Sequence, residues 1–194
     1  RTRSLPVAER SDLDRWALSE LHETVRKVTE RLVDFDSEHA TEAIANFIED
    51  LSNWYVRRSR RRFWKSESDN DKQAAYATLY EALVTLSKLL APSMPFMAEE
   101  LYQNLVRSVA PDAPESVHLA DFPVADEPRI DRELSADVEL AIDLASLGRA
   151  ARSQAKLKVR QPLAEADDGQ HRRQTPRFRD HRAVADVQVA ICGL

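Results

Sequence analysis

The stretch SDLDRWALSELHETVRKVTERL, residues 11–32, decides the fold class. Its apolar residues Leu13, Trp16, Ala17, Leu21, Val25, Val28 and Leu32 recur in steps of three and four, the period of one helix face. A strand would alternate in steps of two. Ser11 stands where an N-cap belongs, and Asp12 and Asp14 fall in the first turn, where the helix dipole favours acids. The spacing therefore predicts an amphipathic helix that buries one stripe.

The same period continues outward. A second helix is expected from near Ser37 to about Trp64, on Ala40, Ile44, Phe47, Ile48, Leu51, Trp54 and Tyr55. SESDND (66–71) reads as a polar break. A third helix over roughly 71–90 carries Leu79, Leu83, Leu86 and Leu90 on one face, and Pro92 and Pro95 punctuate its end and the next start. A fourth follows on Phe96, Met97, Leu101, Leu105 and Val109. Residues 110–130 hold Pro111, Pro114, Pro123 and Pro128 and read as a long connection, with SVHLADF as a short extended piece. A fifth helix opens at Asp131 and runs to about Gln154. The chain of 194 residues has only 3 glycines, too few for the positive-φ turns of an all-β protein. The expected fold is all-α, a bundle of about five amphipathic helices. Residues 1–10 read as a linker, 11–163 as the helical domain, and 164–194 as a tail without clear helical or strand period, expected to be disordered.

Composition narrows the function. Hydrophobic residues make up 43 % and charged ones 31 %, the balance of a soluble globular protein. The formal charge is −5, so a nucleic-acid site must be a local patch and not a general coat. Cys192 is the single cysteine, which excludes an internal disulfide framework and a cysteine-based zinc site and suits a reducing compartment. No apolar run is long enough for a membrane span, and RTRSLPVAER lacks the apolar segment of a signal peptide. Without an initiator methionine, the chain is expected to begin inside a longer protein.

NWYVRRSRRRFWK, residues 53–65, carries the chemistry. The apolar stripe stepping Phe47, Leu51, Trp54 continues by spacing to Arg58, Arg61 and Lys65, and a parallel row reaches Tyr55, Arg58 and Arg62. The buried face should become cationic, and the helix should leave the core near Tyr55 to meet something anionic. Arg57 and Arg61 lie four apart, as do Arg58 and Arg62, a like-charge spacing that costs a helix roughly 0.2–0.5 kcal/mol per pair unless neutralised. Trp54 and Trp64 flank the patch and suit stacking on bases or guanidinium planes. The plainer alternative pairs these arginines with Glu49, Asp50, Glu67, Asp69 and Asp71.

Other candidates are weaker. Lys156, Lys158 and Arg160 precede Gln161-Pro162 and fit a solvated helix end. His22 and His39 read as surface or capping residues, and His118 falls in the connection. Glu99-Glu100 reads as ordinary first-turn acid placement. No metal-ligand spacing, glycine-rich phosphate loop or nucleophile motif is present.

Taken together, the segments resemble a family. FIEDLSNWYVRRSRRRFWK (47–65) closely resembles the signature of the anticodon-binding domain of bacterial isoleucyl-tRNA synthetases. LDRWALSELHETV (13–25), LLAPSMPFMAEELYQNL (89–105), ESVHLADFP (115–123) and GRAARSQAKLKVRQPL (148–163) are similar to further landmarks of that domain, in order, so the resemblance covers about residues 10–165. It implies a cytoplasmic class I synthetase that uses ATP and Mg²⁺ to activate isoleucine and load tRNA(Ile). The adenylate-forming motifs are absent from this chain. A tRNA-docking role without catalysis or cofactor is therefore expected, with the catalytic domain of the same parent as a second partner. The residues expected to meet tRNA are Arg57, Arg58, Arg61, Arg62, Trp54, Trp64, Lys65, Lys158 and Arg160. The alternative is a helical interaction module whose arginine face docks an acidic protein surface. The resemblance implies that the linker 1–10 leads from an upstream catalytic region. It stops after Glu165, so 164–194 reads as a divergent or frame-shifted tail whose basic run, His171 to Arg179, carries no expected site.

Overall fold

The structure is a computed structural model that describes residues 6–65 and 69–158. Helices and irregular connections account for all of them, and no strand occurs among the described residues. The chain divides into two compact units at Ile130/Asp131.

The first unit holds most of the core. A 3-10 turn at Val7–Glu9 leads into α1 (Asp12–Val33), followed by α2 (Ser37–Asp50). A π-helical stretch, Leu51–Val56, joins α2 without a break to α3 (Arg57–Lys65). Next come α4 (Asp69–Leu90) and α5 (Pro95–Tyr102), the latter running into a second π-helical stretch, Gln103–Arg107. α1 packs on α2 and α4, and α4 also packs on α3 and α5. The second unit is built on α6 (Arg132–Gln154), on which Ala141 and Ala145 are buried.

Local chemistry accounts for the helix ends. The Ser11 hydroxyl caps α1 by accepting from the Asp14 N–H, as its position predicts. Asp36 and Asp131 cap α2 and α6 in the same way, accepting from the N–H groups of His39 and Leu134. Pro95 sits in the first turn of α5, where a missing N–H costs nothing. Past the end of α1, Phe35 takes a left-handed conformation (φ 58°), and the Asp36 N–H donates to the Arg31 carbonyl at 2.8 Å. Lys156 (φ 55°) does the same after α6, with the Leu157 N–H donating to Arg152 O at 2.9 Å. Both are positions where glycine is usual, so this glycine-poor chain closes two helices with strained residues.

The stripe read from residues 11–32 supplies much of the core of the first unit, with its end members Leu13 and Leu32 half-buried and Leu18 joining it. Trp16, Ala17, Leu18, Leu21, Val25 and Val28 are buried, joined by Ala40, Ile44 and Phe47 of α2 and by Ala75, Ala82, Leu86 and Leu89 of α4. Each large side chain contributes about 1.5–3 kcal/mol on burial. Three expectations need adjustment. α4 begins at Asp69, within the stretch read as a polar break. Val117–Leu119 is a 3-10 turn and not an extended piece. Arg10, assigned to a linker, is tied to α4 by donating to Thr78 Oγ1 at 2.9 Å. The expected disordered tail, 164–194, lies outside the described residues.

The connection after α5 is held by polar contacts with that helix. The Glu99 carboxylate accepts from Gln103 Nε2 (2.7 Å), Ser116 Oγ (2.8 Å) and the Val117 N–H (2.9 Å), which together hold its titration below the usual carboxylate range. α5 begins at Pro95, so Glu99 lies past its first turn, and it fastens a loop where the sequence predicts first-turn acid placement. Tyr102 Oη donates to Pro114 O, and Ala98, Tyr102 and Val117 form a small buried cluster beneath.

A buried polar network joins the helices near the start of α1. Asp14 is fully buried. Arg62 of α3 grips it with two parallel bonds, Nη1 to Oδ1 at 2.9 Å and Nη2 to Oδ2 at 2.6 Å. The Tyr55 hydroxyl donates to Asp14 Oδ1 at 2.6 Å, and Ser11 Oγ donates to Oδ2 at 2.8 Å. Arg62 also reaches Asp71 of α4, Nε to Oδ1 at 3.0 Å and Nη2 to Oδ1 at 2.7 Å. Burial works against the Arg62 charge, but the bonds to Asp14 and Asp71 outweigh it and keep the guanidinium protonated. Burial and the Asp14 charge push the Tyr55 phenol well above its ordinary value, so it stays a donor. Removing one partner of a buried pair strands the other, at a cost of about 3–5 kcal/mol. Asp14→Ala should lower stability by about that amount in urea unfolding. Asp14→Ala combined with Arg62→Met should lose less than the sum of the two single changes. Additive losses below about 1 kcal/mol each would show that the network does not hold these helices.

His22 joins the last turn of the first unit to α1. It is buried, and its Nδ1 accepts the Asp126 N–H at 3.2 Å. Arg129 lies beside it, paired with Glu81 of α4 and with Asp126. Burial, followed by the Arg129 charge, holds the imidazole below its ordinary value of 6.5. The unfolded chain therefore binds this proton first on acidification. The His22 contribution is present above pH 6.5 and is lost as pH falls below it. His39, exposed and paired with Asp36, is shifted upward and acts in the opposite sense, so the His22 part is isolated by substitution. Between pH 7 and pH 5, unfolding midpoints should fall more for the unsubstituted chain than for His22→Gln. Equal slopes would refute the assignment.

Candidate nucleic-acid interface

Which arginines face outward depends on how the helix over residues 37–65 turns. Its buried row runs Phe47, Leu51, Tyr55, Ser59, Phe63, in steps of four. The expected row through Trp54, Arg58 and Arg61 is not the buried one, and the helix does not leave the core near Tyr55. The cause is the π-helical stretch Leu51–Val56. Its i→i+5 bonds place more residues in each turn, so a four-residue step stays on the core side where an α-helix would have rotated past it. Tyr55 and Ser59 are fully buried, and Phe63 packs its ring on Tyr76 of α4 with centroids 5.0 Å apart.

This register sorts the candidate residues. Arg62, expected to meet tRNA, instead turns its donors inward to Asp14 and Asp71. Here the alternative of pairing with carboxylates holds, through one of the predicted partners, Asp71, and one that was not predicted, Asp14. Arg58 is half-buried and lies over the Trp54 ring, 4.7 Å from its centroid, in a cation–π contact. Trp54 thus has one face covered. Arg57, Arg60, Arg61 and Trp64 are exposed. They stand at i, i+3, i+4 and i+7 and so share one face of α3. Lys65 ends α3, and its side chain lies outside the described residues. Lys158 is exposed beyond α6 in the second unit, and Arg160 lies outside the described residues.

Sequence reasoning passed over Arg60, which shares the exposed face with Arg57 and Arg61. In the sequence Asp14 reads only as a first-turn acid, and Tyr55 as one more member of the apolar stripe. One signal was available: a tyrosine on a buried stripe needs a hydroxyl partner, and an acid one helix away can supply it.

The electrostatics of the exposed surface change sign along the helix. Glu38, Glu42 and Glu49 are exposed on α2, whereas among the described side chains of α3 the exposed charges are Arg57, Arg60 and Arg61. An anionic ligand is repelled at one end and drawn to the other. The described residues hold no cluster of three or more His, Cys, Asp or Glu side chains able to bind a metal, and none of their helices is long and apolar enough to cross a membrane.

Comparison with known proteins accords with this geometry. Residues 14–167 match the family described as the anticodon-binding domain of tRNA ligase. An isoleucine–tRNA ligase of Dehalococcoides mccartyi is 60 % identical over 154 residues, covering 79 % of this chain and 15 % of that protein. The Thermus thermophilus isoleucine–tRNA ligase is 50 % identical over 159 residues, covering 81 % and 15 %. That of Cutibacterium acnes is 51 % identical over 158 residues, covering 81 % and 14 %. The chain thus spans about 15 % of the length of these relatives. With a match across most of its length, on an all-helical fold, the chain belongs to the family of anticodon-binding domains of tRNA ligases.

Proposed function

We propose that this chain is the tRNA-docking part of an isoleucine–tRNA ligase, and that it holds tRNA(Ile) through the exposed face of α3. The observation that carries the reading is the set Arg57, Arg60 and Arg61 on one face of a helix whose opposite side is anchored in the core. A guanidinium on a rigid helix presents donors in the planar fork that phosphate oxygens accept. The set replaces the expected one by gaining Arg60 and losing Arg62. Arg58 stays as a residue that orders Trp54 beside the patch. Lys65, Lys158 and Arg160 remain candidates for further phosphate contacts.

In this reading the activation of isoleucine with ATP and Mg²⁺, and its transfer to tRNA, belong to the parent enzyme's catalytic domain, which is the second partner, in the cytoplasm. Phosphate contacts position the RNA and carry little sequence information, so the choice of tRNA(Ile) needs base contacts as well.

Salt dependence tests the docking surface. Each phosphate contact adds about 0.7–0.9 to the slope of log K against log salt. Replacing Arg57, Arg60 and Arg61 together by glutamine should weaken tRNA binding and flatten that slope by about two to three units, with the unfolding midpoint nearly unchanged. Arg62→Gln should do the reverse, lowering the midpoint by disrupting the Asp14 pair. Binding by the triple variant with an unchanged slope would remove the α3 face as the docking surface. If the unsubstituted chain bound an acidic protein but no tRNA, the interaction-module alternative would stand instead.

A further inference from the structure

The two tryptophans of the arginine helix occupy different settings. Trp54 is half-buried, and the Arg58 guanidinium already lies 4.7 Å from its ring centroid. Trp64 is 74 % exposed. An indole is a large apolar surface, and leaving one this open in water forgoes a substantial hydrophobic gain. Its neighbours in sequence hold it there. Phe63 is 7 % exposed and packs its ring at a tilt against Tyr76, and Arg62 is clamped to Asp14 and Asp71. With residues 62 and 63 fixed inward, the backbone carries Trp64 outward in a set direction. Arg60 and Arg61, at i−4 and i−3, place two cationic side chains next to it on the exposed face.

We infer that Trp64 is a stacking platform for one unpaired nucleobase, flanked by Arg60 and Arg61 as contacts for the phosphates on either side of that nucleotide. The inference rests on the proposed RNA docking and narrows it to one residue: Trp64 takes one unpaired nucleotide of the RNA held on α3. Bases inside a helix are stacked on one another and offer no free π-face to a side chain, whereas an unpaired base does. Because every base has such a face, this contact supplies affinity for single strands without choosing their sequence.

The test compares two RNAs with the full chain: a hairpin with an unpaired purine loop, and a blunt duplex of the same stem. Trp64→Ala should weaken hairpin binding by about ten- to a hundredfold, the range for losing one base–aromatic stack. Duplex binding should change less than about twofold, and the salt slope for either RNA should stay the same, since no phosphate contact is removed. Trp64→Phe should recover most of the hairpin affinity. In the unsubstituted chain the hairpin should quench tryptophan fluorescence and the duplex should not, with the quench absent in Trp64→Phe. Equal weakening of both RNAs by Trp64→Ala, or of neither, would overturn the stacking role while leaving phosphate docking in place. Failure of the unsubstituted chain to bind either RNA would overturn both.

Discussion

The bidentate grip of Arg62 on the buried carboxylate of Asp14 is the contact on which the arrangement of the first unit turns. It links α1 to α3, and through Asp71 it reaches α4. A carboxylate with no solvent contact is tolerated only if its lone pairs are filled. Here Ser11, Tyr55 and two guanidinium nitrogens supply four hydrogen bonds to the two oxygens. A lysine could not replace Arg62, since a single ammonium cannot bind one carboxylate through a parallel pair of N–H groups while also reaching a second. Such a network adds less to stability than apolar packing of the same volume would. Its effect lies in register, because all its bonds close only when the end of α3 stands opposite the start of α1.

That register decides what the protein shows to its surroundings. The π-helical stretch at Leu51–Val56 keeps Tyr55, Ser59 and Phe63 on the core side, and Arg62 follows them inward. Arg57, Arg60, Arg61 and Trp64 are left on the other side. A basic run that is even in sequence is thereby split into one structural cation, one cation resting on an indole, and an exposed cationic face. The acidic surface of α2 bounds this face at one end, so a chain of formal charge −5 still carries a local cationic face.

The same logic of internal satisfaction governs the proline-rich connection after α5. It has little regular structure of its own, so its polar groups need partners from the helix beside it. Glu99 takes the Ser116 hydroxyl and the Val117 N–H, Tyr102 donates to Pro114 O, and Arg107 donates to the carbonyls of Pro111 and Ala113. Further on, His22 of α1 accepts the Asp126 N–H. Polar side chains on the helices hold the loop by its backbone, and the proline positions need no N–H partner.

Much of the fold was legible in the order of residues. The stripe from Leu13 to Leu32, the cap at Ser11, the start near Ser37, the break at Pro92 and Pro95, and the helix opened by Asp131 are all local events. Each depends on residues within one or two turns, so periodicity and capping chemistry determine them. The basic helix was legible too, as a composition. What the sequence could not decide was direction. Whether Arg62 or Arg60 faces water depends on a π-helical turn and on Asp14, which is 48 residues away along the chain. Whether Trp54 or Trp64 offers an open ring depends on where Arg58 rests. A helix rotates by about 100° per residue, so a small shift in winding moves a side chain from the core to solvent. The local sequence therefore determined that there is a helix bearing arginines and tryptophans, and only tertiary packing, by filling the lone pairs of a buried carboxylate, decided which of them face solvent.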